Sequence, residues 1–278
     1  MLGTGNALTT RCYNTCFALH SAAGCVLLVD AGGGNGILAQ LERAGLRKEE
    51  IHDLFVTHAH TDHLLGAIWI VRMALQFKYS LNVWSHAKVL SLLDGICRQI
   101  LPQKEVSRLG DLVTFHRLED GGTFRVGDMR FQCFDIHSSK EPQFGFTATF
   151  AHGLRPCCLG DEPFNPLCRE YAQDADWLMH EAFCTYADRE RDPTRKATAP
   201  LVMQGGTRRS FGQETSFCIT PKTAHWKHAP SGMRMKRERR SQATSSFPTT
   251  SRPSCLIDIR CRFRVLPLRG LEAEEASG

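Results

Sequence analysis

The chain has 278 residues, enough for one large α/β domain or two small ones. Hydrophobic residues make up 42% of it, and no run of eighteen apolar residues occurs, so the sequence predicts a buried core and no transmembrane span. The N-terminus carries no basic segment followed by an apolar stretch, so no secretory signal is expected. The 12 cysteines are scattered, and we expect reduced, mostly buried thiols in a cytoplasmic protein.

The net charge of +5 is distributed unevenly along the chain. Residues 191–278 carry 17 Lys+Arg against 7 Asp+Glu, a balance of +10, which leaves 17 against 22, or −5, for residues 1–190. A basic tail on an acidic body is compatible with nucleic-acid binding. Residues 203–254 are rich in Arg, Ser, Thr, Gly and Pro without a sustained period, so composition alone predicts disorder there. We therefore divide the chain into a domain, residues 1–190, and a basic tail, residues 191–278.

Residues 1–190 read in chain order as an α/β protein. Apolar runs bounded by turn residues predict strands, and apolar residues at helical spacing predict helices. The predicted strands are residues 25–30, 51–57, 81–84, 123–126, 129–136, 144–150, 155–159 and 177–180, with one more from residue 114 to the turn at 120–122. The predicted helices are residues 37–44, 67–77 and 89–100. Strands alternating with helices and then with hairpins predict a mixed sheet packed against helices.

The segment Thr57-His58-Ala59-His60-Thr61-Asp62-His63 directly follows a predicted strand. We expect it on the loop at the carboxyl end of that strand, where open sheets place ligands. Imidazole nitrogens and carboxylates are preferred by zinc and similar metals, so His58 and His60 can reach one ion while Asp62 and His63 turn toward a second. Two ions about 3.5–4 Å apart can bind a hydroxide and clamp both oxygens of a displacement. The alternative, a polar loop with incidental histidines, is disfavoured by the density of the cluster.

His-x-His-x-Asp-His after a strand is the signature of the metallo-β-lactamase superfamily, and the chain resembles its ribonuclease Z branch. Two further segments carry the resemblance, Leu2-Gly3-Thr4-Gly5-Asn6-Ala7 and Leu28-Val29-Asp30-Ala31-Gly32, and it covers residues 2–190 in order. The resemblance implies the αββα sandwich of that superfamily, truncated or disrupted at the C-terminus. It also implies that the first strand of the family ends where this chain begins.

Carried over residue by residue, the resemblance implies further site residues. His137 would complete the ligands of the first metal, and Asp161 would bridge both ions. The segment His180-Glu181-Ala182-Phe183 resembles the family motif His-Glu-Ala-Thr-Phe, whose glutamate takes part in proton transfer through a partner histidine. Asp62 would orient the attacking hydroxide as well as bind metal. The implied ions are two Zn²⁺, with Mn²⁺ or Fe²⁺ as alternatives.

The implied catalytic residues are thus Asp62 and Glu181, and the implied metal ligands are His58, His60, Asp62, His63, His137 and Asp161. Taken alone, three of these positions have ordinary interpretations: His137 as a strand-end histidine, Asp161 as a turn residue and His180 as a packing residue. We expect the remaining histidines of the domain to be surface or hydrogen-bonded residues, namely His20, His52, His86, His116 and His152.

Two motifs of the family are missing from the tail. The resemblance requires a final histidine for the second metal and a Gly-His-Ser-Thr motif for the partner of the glutamate, and the downstream His225 and His228 follow no predicted strand. In a shifted reading frame, however, residues 192–200 can encode Pro-Tyr-Glu-Lys-Gly-His-Ser-Thr, and residues 217–223 can encode Leu-Tyr-His-Thr-Glu-Asp. We hypothesise that the chain after about residue 188 is a frameshifted translation, so that the second metal site lacks a ligand and activity is low.

These observations together predict a metal-dependent hydrolase, most similar to a phosphodiesterase or ribonuclease Z, that uses a metal-bound hydroxide. The family arm that grips tRNA falls in many members between the positions of His137 and Asp161, and the 24 residues here are too few for it. With the acidic body, this favours a small phosphodiester over precursor tRNA, although RNA stays open as a substrate and a homodimer as an assembly. The alternative is a catalytically impaired metal-binding protein of the same fold.

Overall fold

Two five-stranded sheets form the frame of the fold. The computed structural model describes residues 1–162 and 164–184, together with the short segments 199–200 and 220–221. The strands of the first sheet are, in spatial order, β1 (Phe17–His20), β2 (Val26–Val29), β3 (Ile51–Phe55), β4 (Leu81–Ser85) and β5 (Val113–Arg117). Those of the second are β10 (Trp177–Met179), β9 (Pro156–Cys158), β8 (Phe144–Thr149), β7 (Met129–Asp135) and β6 (Thr123–Val126).

The first sheet is largely parallel. The strands β2, β3, β4 and β5 run in one direction, and only β1 is antiparallel to its neighbour. The helices that connect or follow these strands are α1 (Gly36–Arg43), α2 (Thr61–Phe77), α3 (Ala87–Ile100), α4 (Gln103–Val106) and α5 (Leu109–Leu112). Because parallel strands end at the same edge of a sheet, the segments after β2, β3 and β4 meet there.

The second sheet is a meander of β6, β7, β8 and β9, all antiparallel, to which β10 adds in parallel. The short helix α6 (Arg169–Ala172) leads into β10. Beyond β10, β11 (Glu181–Cys184) pairs with the two-residue strands β12 (Ala199–Pro200) and β13 (Thr220–Pro221).

The core lies in three layers. Between the sheets, Phe55 of β3 stacks on Phe124 at 5.8 Å and meets Phe146 edge-on at 5.4 Å, ring centroid to ring centroid. Burying one such ring contributes roughly 1.5–3 kcal/mol. Aliphatic residues of α1, α2 and α3 pack on the outer face of the first sheet, and Ala172 of α6 packs against the outer face of the second. Helices therefore cover both sheets, which gives the expected αββα sandwich.

Most predicted strands and helices are confirmed, and the differences have physical causes. The strand pattern alone predicted a mixed sheet, whereas the strands form two sheets. Two sheets that face each other bury the apolar side chains of both inner faces. Helix α2 begins at Thr61, six residues before the predicted start at Ala67, because Asp62 in its first turn is favourable near the positive end of the helix dipole. The strand β1 has neither a continuous apolar run nor an alternating pattern, and the four-residue helices α4, α5 and α6 are too short to leave a periodic signal.

Two compositional expectations can be compared with the described residues. Eight cysteines there are free thiols, and six of them are buried. None of the described helices has the length and hydropathy that crossing a bilayer requires. The tail, residues 191–278, lies outside the described residues except for β12 and β13.

Candidate metal centre

The histidine motif joins the end of β3 to the start of α2. Thr57, His58 and His60 lie on the connection, as expected, but Asp62 and His63 do not lie on a loop. They occupy the first turn of α2, where the His63 amide donates to the carbonyl of His60 at 3.1 Å. The prediction that Asp62 and His63 lie on the loop was wrong, because the helix begins at Thr61, inside the motif. The helix fixes the two side chains more rigidly than a loop would.

His58, His60 and Asp161 offer ligand atoms that all lie within 4.8 Å of one another. Nε2 of His58 is 2.8 Å from Nδ1 of His60. Two nitrogens that bind one tetrahedral zinc ion at about 2.0–2.1 Å lie about 3.4 Å apart, so this pair is close to the required separation. Two imidazoles and a carboxylate are a donor set that zinc and related ions accept, and the residues present therefore fit a metal ion.

A second set of donors adjoins the first and shares Asp161 with it. Nε2 of His63 lies 3.7 Å from Oδ2 of Asp62 and 3.9 Å from Oδ2 of Asp161. Burial opposes the charge on His63, but Asp30, Asp161 and Asp62 together outweigh it and raise the pKa of His63 to about 9. The arrangement places negative charge where a second cation would be held.

Asp30 organises this region from behind, a role that the sequence analysis did not assign. Its carboxylate accepts hydrogen bonds from the amide of Thr57 at 2.8 Å and from the hydroxyl of Thr57 at 2.9 Å. It also accepts one from Nδ1 of His63 at 2.7 Å. Asp30 has a φ of +54°, a left-handed conformation that an aspartate tolerates better than most residues. Asp30, which directly follows β2, thus fixes the orientation of the His63 ring; the sequence marked it only as a strand-end acid within a segment that carries the family resemblance.

His58 is held in the uncharged state that metal binding requires. Burial, followed by the positive potential of neighbouring groups such as His63 and Lys140, lowers the pKa of His58 well below its ordinary value. Nδ1 of His58 lies 2.8 Å from the hydroxyl of Thr57 and 3.0 Å from Nε2 of Gln143. These contacts hold the ring from the side opposite Nε2. Gln143 was not singled out from the sequence, and its position on a loop before β8 gives no signal of it.

Close packing of α2 on the segment after β2 keeps the motif in place. The amide of Gly66 donates to the carbonyl of Gly32 at 2.7 Å, and the amide of Ala31 donates to the carbonyl of His63 at 3.1 Å. A Cβ atom on Gly66 would overlap the carbonyl oxygen of Ala31. Only glycine at this position lets the first turns of α2 lie this near to Asp30.

His137 is not brought into the group formed by His58, His60 and Asp161. It follows β7 with a φ of +57°, its side chain is 44% exposed, and its Nδ1 is 4.0 Å from Oδ2 of Asp135. Its role as a ligand stays a prediction.

Glu181 and His180 lie at the end of β10 and the start of β11. Both are buried, with Glu181 at 0% exposure and His180 at 2%. Nδ1 of His180 donates to the carbonyl of Glu181 at 2.8 Å, and burial lowers the pKa of His180. The Glu181 amide donates to the carbonyl of Glu162 at 3.3 Å, which links this strand to the residue next to Asp161. The role of Glu181 in proton transfer stays a prediction.

Among the histidines expected to be surface or hydrogen-bonded residues, His86 is buried and hydrogen-bonded to the backbone of Pro142. It is buried at 6% exposure, and its Nε2 has no hydrogen-bond partner among the residues that the structure describes. It precedes α3 at the same sheet edge as the motif, a position that the sequence pattern did not reveal. His225 and His228 lie outside the described residues.

Two facing sheets covered by helices, with His-x-His-x-Asp-His at the end of a strand of the first, define a protein of the metallo-β-lactamase fold. Human tRNase Z, short form (ELAC1), superposes with a TM-score of 0.64 over 80% of this chain and 91% of that one, at 17% identity. The sequence profile of the family described as Anti-Pycsar protein Apyc1 matches residues 1–190. The chain belongs to that family, and the match ends where the basic tail begins.

Curated relatives confirm the predicted resemblance to the ribonuclease Z branch. A ribonuclease Z of Bradyrhizobium diazoefficiens is 29% identical over 178 residues, which are 62% of this chain and 58% of the relative. Exodeoxyribonuclease YycJ of Bacillus anthracis is 31% identical over 121 residues, 42% of this chain and 40% of the relative. The chain thus spans 58% or less of the length of these two relatives.

Proposed function

We propose that this protein is a metal-dependent hydrolase of phosphodiester bonds. The observation that carries the proposal is the convergence of His58 and His60, from the first sheet, with Asp161, from the second, within 4.8 Å. The names of the relatives, ribonuclease Z and exodeoxyribonuclease, support the phosphodiester as the bond class. A cytoplasmic location and possible homodimerisation belong to the same proposal and rest on the sequence alone.

Two ions are accommodated by the donors described above. His58, His60 and Asp161, with His137 as a further predicted ligand, would hold the first, and Asp62, His63 and Asp161 the second. A bound divalent ion lowers the pKa of a coordinated water and stabilises the negative charge that develops on phosphoryl oxygens. We favour Zn²⁺, with Mn²⁺ or Fe²⁺ as alternatives, because imidazole and carboxylate ligands suit all three. The second set lacks the final histidine that the family resemblance requires, so we expect its occupancy to be weak.

The protein supplies proton handling and orientation. Hydrolysis adds a water oxygen to phosphorus and breaks the bond to the leaving oxygen, which must gain a proton. Asp62, which lies in the first turn of α2, would accept a hydrogen bond from the attacking water and orient it. Glu181, whose side chain is buried, would pass a proton to the leaving oxygen, which is the role that the family resemblance implies for it.

We favour a small phosphodiester over precursor tRNA. The loop between β7 and β8 and the segment after β9 are short, and the body of residues 1–190 carries a charge of −5, which repels an extended polyanion. The test compares hydrolysis of bis(p-nitrophenyl) phosphate with cleavage of a tRNA precursor by the full chain, each with added Zn²⁺ or Mn²⁺.

The expected result is metal-dependent release of p-nitrophenol without cleavage of the tRNA. His60→Ala is the negative control for contaminating phosphodiesterases. Efficient tRNA cleavage would overturn the choice of substrate. If the full chain binds metal and gains thermal stability but hydrolyses neither substrate, the alternative of an impaired metal-binding protein replaces the proposal.

A further inference from the structure

The loop from His137 to Gln143 is closed at its base and fixed against the metal centre. The amide of Ile136 donates to the carbonyl of Gln143 at 3.1 Å, which joins the two ends of the loop. Nε2 of Gln143 lies 3.0 Å from Nδ1 of His58, and the amide of Phe144 donates to the carbonyl of Thr57 at 3.0 Å. The loop therefore has a defined position relative to the histidine motif.

Lys140 lies in the middle of this loop and is oriented by Glu162. Its Nζ is 3.1 Å from Oε1 of Glu162, the residue that follows the metal-group Asp161. The hydroxyl of Ser138 donates to the same carboxylate oxygen at 2.9 Å and accepts from the amide of Lys140 at 3.2 Å. The Glu162 side chain is 12% exposed and that of Lys140 is 40% exposed. Glu162 thus fixes the position of the Lys140 ammonium, while part of the Lys140 side chain remains exposed to solvent.

The charges around the Lys140 ammonium bear on how an anionic substrate would bind. Carboxylates surround the candidate metal centre, and the charge of the proposed cations would offset theirs; those described above are Asp30, Asp62, Asp161, Glu162 and Glu181. An ammonium held by Glu162, beside Asp161 in the chain and partly exposed to solvent, attracts the negative charge of a phosphodiester.

We propose that Lys140 binds an anionic oxygen of the substrate phosphate, and that Glu162 and Ser138 position it for this contact. The inference rests on the proposed function, since it assigns a substrate-binding residue to the same centre. An ammonium that binds substrate and transition state alike changes KM and leaves kcat nearly unaltered.

Lys88 provides a matched control. Its Nζ is 2.7 Å from Oε2 of Glu141, so it ties the same loop to the start of α3, and its side chain is 50% exposed. Lys88→Ala removes a lysine and its ion pair with Glu141, but it leaves Lys140 and its ion pair with Glu162 in place. Any effect common to Lys88→Ala and Lys140→Ala reports loop anchoring and not phosphate recognition.

The experiment uses the full chain loaded with Zn²⁺ and two readouts. For Lys140→Ala, KM for bis(p-nitrophenyl) phosphate should rise about tenfold with kcat within about twofold, as loss of one Coulombic contact predicts. The affinity for inorganic phosphate, measured by calorimetry, should fall by a similar factor. Lys140→Arg should restore most of both, and Lys88→Ala should leave both near the wild-type values.

Each outcome separates the inference from the proposed function. If the wild type hydrolyses the diester and the two alanine variants behave alike, Lys140 has no special role and the inference fails while the function stands. If the wild type shows no metal-dependent hydrolysis, the proposed function fails, and the phosphate affinities alone decide on Lys140. Equal phosphate affinity of Lys140→Ala and wild type overturns the inference in either case.

Discussion

The carboxylate of Asp30 accepts a hydrogen bond from Nδ1 of His63 at 2.7 Å, and this contact decides which nitrogen of the ring faces the metal centre. Nε2 is left directed at Asp62 and Asp161, at 3.7 and 3.9 Å. A carboxylate behind a metal-binding histidine fixes both the tautomer and the orientation of the ring. Asp30 is therefore a positioning residue for the second set of donors.

Replacing Asp30 should weaken metal binding without abolishing the fold. Asn tolerates the left-handed backbone at this position, so Asp30→Asn removes mainly the charge, and we expect zinc affinity to fall about 10–100-fold. Competition with a chelating dye measures it. Asp53→Asn is the control, because Asp53 accepts hydrogen bonds from Trp84 and Asn82 in the same sheet but lies outside the candidate metal centre. Equal zinc affinities of the two variants would contradict the role of Asp30.

Loss of a ligand should abolish stabilisation by metal. An ion that binds only the folded state adds about 2.7 kcal/mol at a concentration one hundred times its Kd. Zinc should therefore raise the Tm of the wild type and of His52→Ala, whose side chain is exposed and bonded to the carbonyl of Ser80. It should not raise that of His60→Ala. Thermal melts with and without zinc test this, and an unchanged zinc response in His60→Ala would remove His60 from the ligand set.

Gly66 of α2 and Gly95 of α3 should respond in opposite directions to replacement by alanine. A Cβ on Gly66 overlaps the carbonyl of Ala31, so Gly66→Ala should push α2 away from the segment after β2, lower stability by about 1–3 kcal/mol and weaken zinc binding. A Cβ on Gly95 meets nothing within 4 Å, so Gly95→Ala should add about 0.5–1 kcal/mol through helix propensity. Urea unfolding measures both. A neutral Gly66→Ala would mean that α2 packs less tightly than described.

Replacing Glu181 by glutamine should lower kcat and leave the zinc content of the protein unchanged. Loss of a group that transfers a proton typically slows a reaction about 10²–10⁴-fold, and we expect that range for kcat of Glu181→Gln with bis(p-nitrophenyl) phosphate. Zinc per chain, measured by elemental analysis, should stay at the wild-type value. The exposed Glu170→Gln should retain full activity. If Glu181→Gln loses zinc instead, Glu181 supports the metal centre and does not transfer a proton.

The gene sequence tests the hypothesis about the tail. In the frame formed by the third base of each codon and the first two of the next, the stretch for residues 192–200 should read Pro-Tyr-Glu-Lys-Gly-His-Ser-Thr. The stretch for residues 217–223 should read Leu-Tyr-His-Thr-Glu-Asp. Stop codons in that frame, or codons for other residues at the two histidines, would refute the hypothesis. The end of the family match at residue 190 agrees with it but does not test it.

The sequence was informative wherever a residue acts through its own chemistry and position. Three histidines within six residues after a strand predict a metal site, because a structural role does not need them so densely placed. Residues that act through a neighbour left no such mark: Asp30 reaches His63 across 33 positions of sequence, and Gln143 reaches His58 across 85. The start of α2 was misplaced for a related reason, because polar ligands in its first turn hide the apolar period that indicates a helix.

The candidate ligands follow strands of two different sheets, so a bound metal ion would cross-link distant parts of the chain. His60 follows β3 and Asp161 follows β9. An ion bound by both would cross-link the chain into a loop of about 100 residues, as a disulfide does. Such a cross-link removes conformations from the unfolded chain and resists pulling the two sheets apart. Metal supply would then govern how long this protein survives proteolysis, independently of whether any substrate is present.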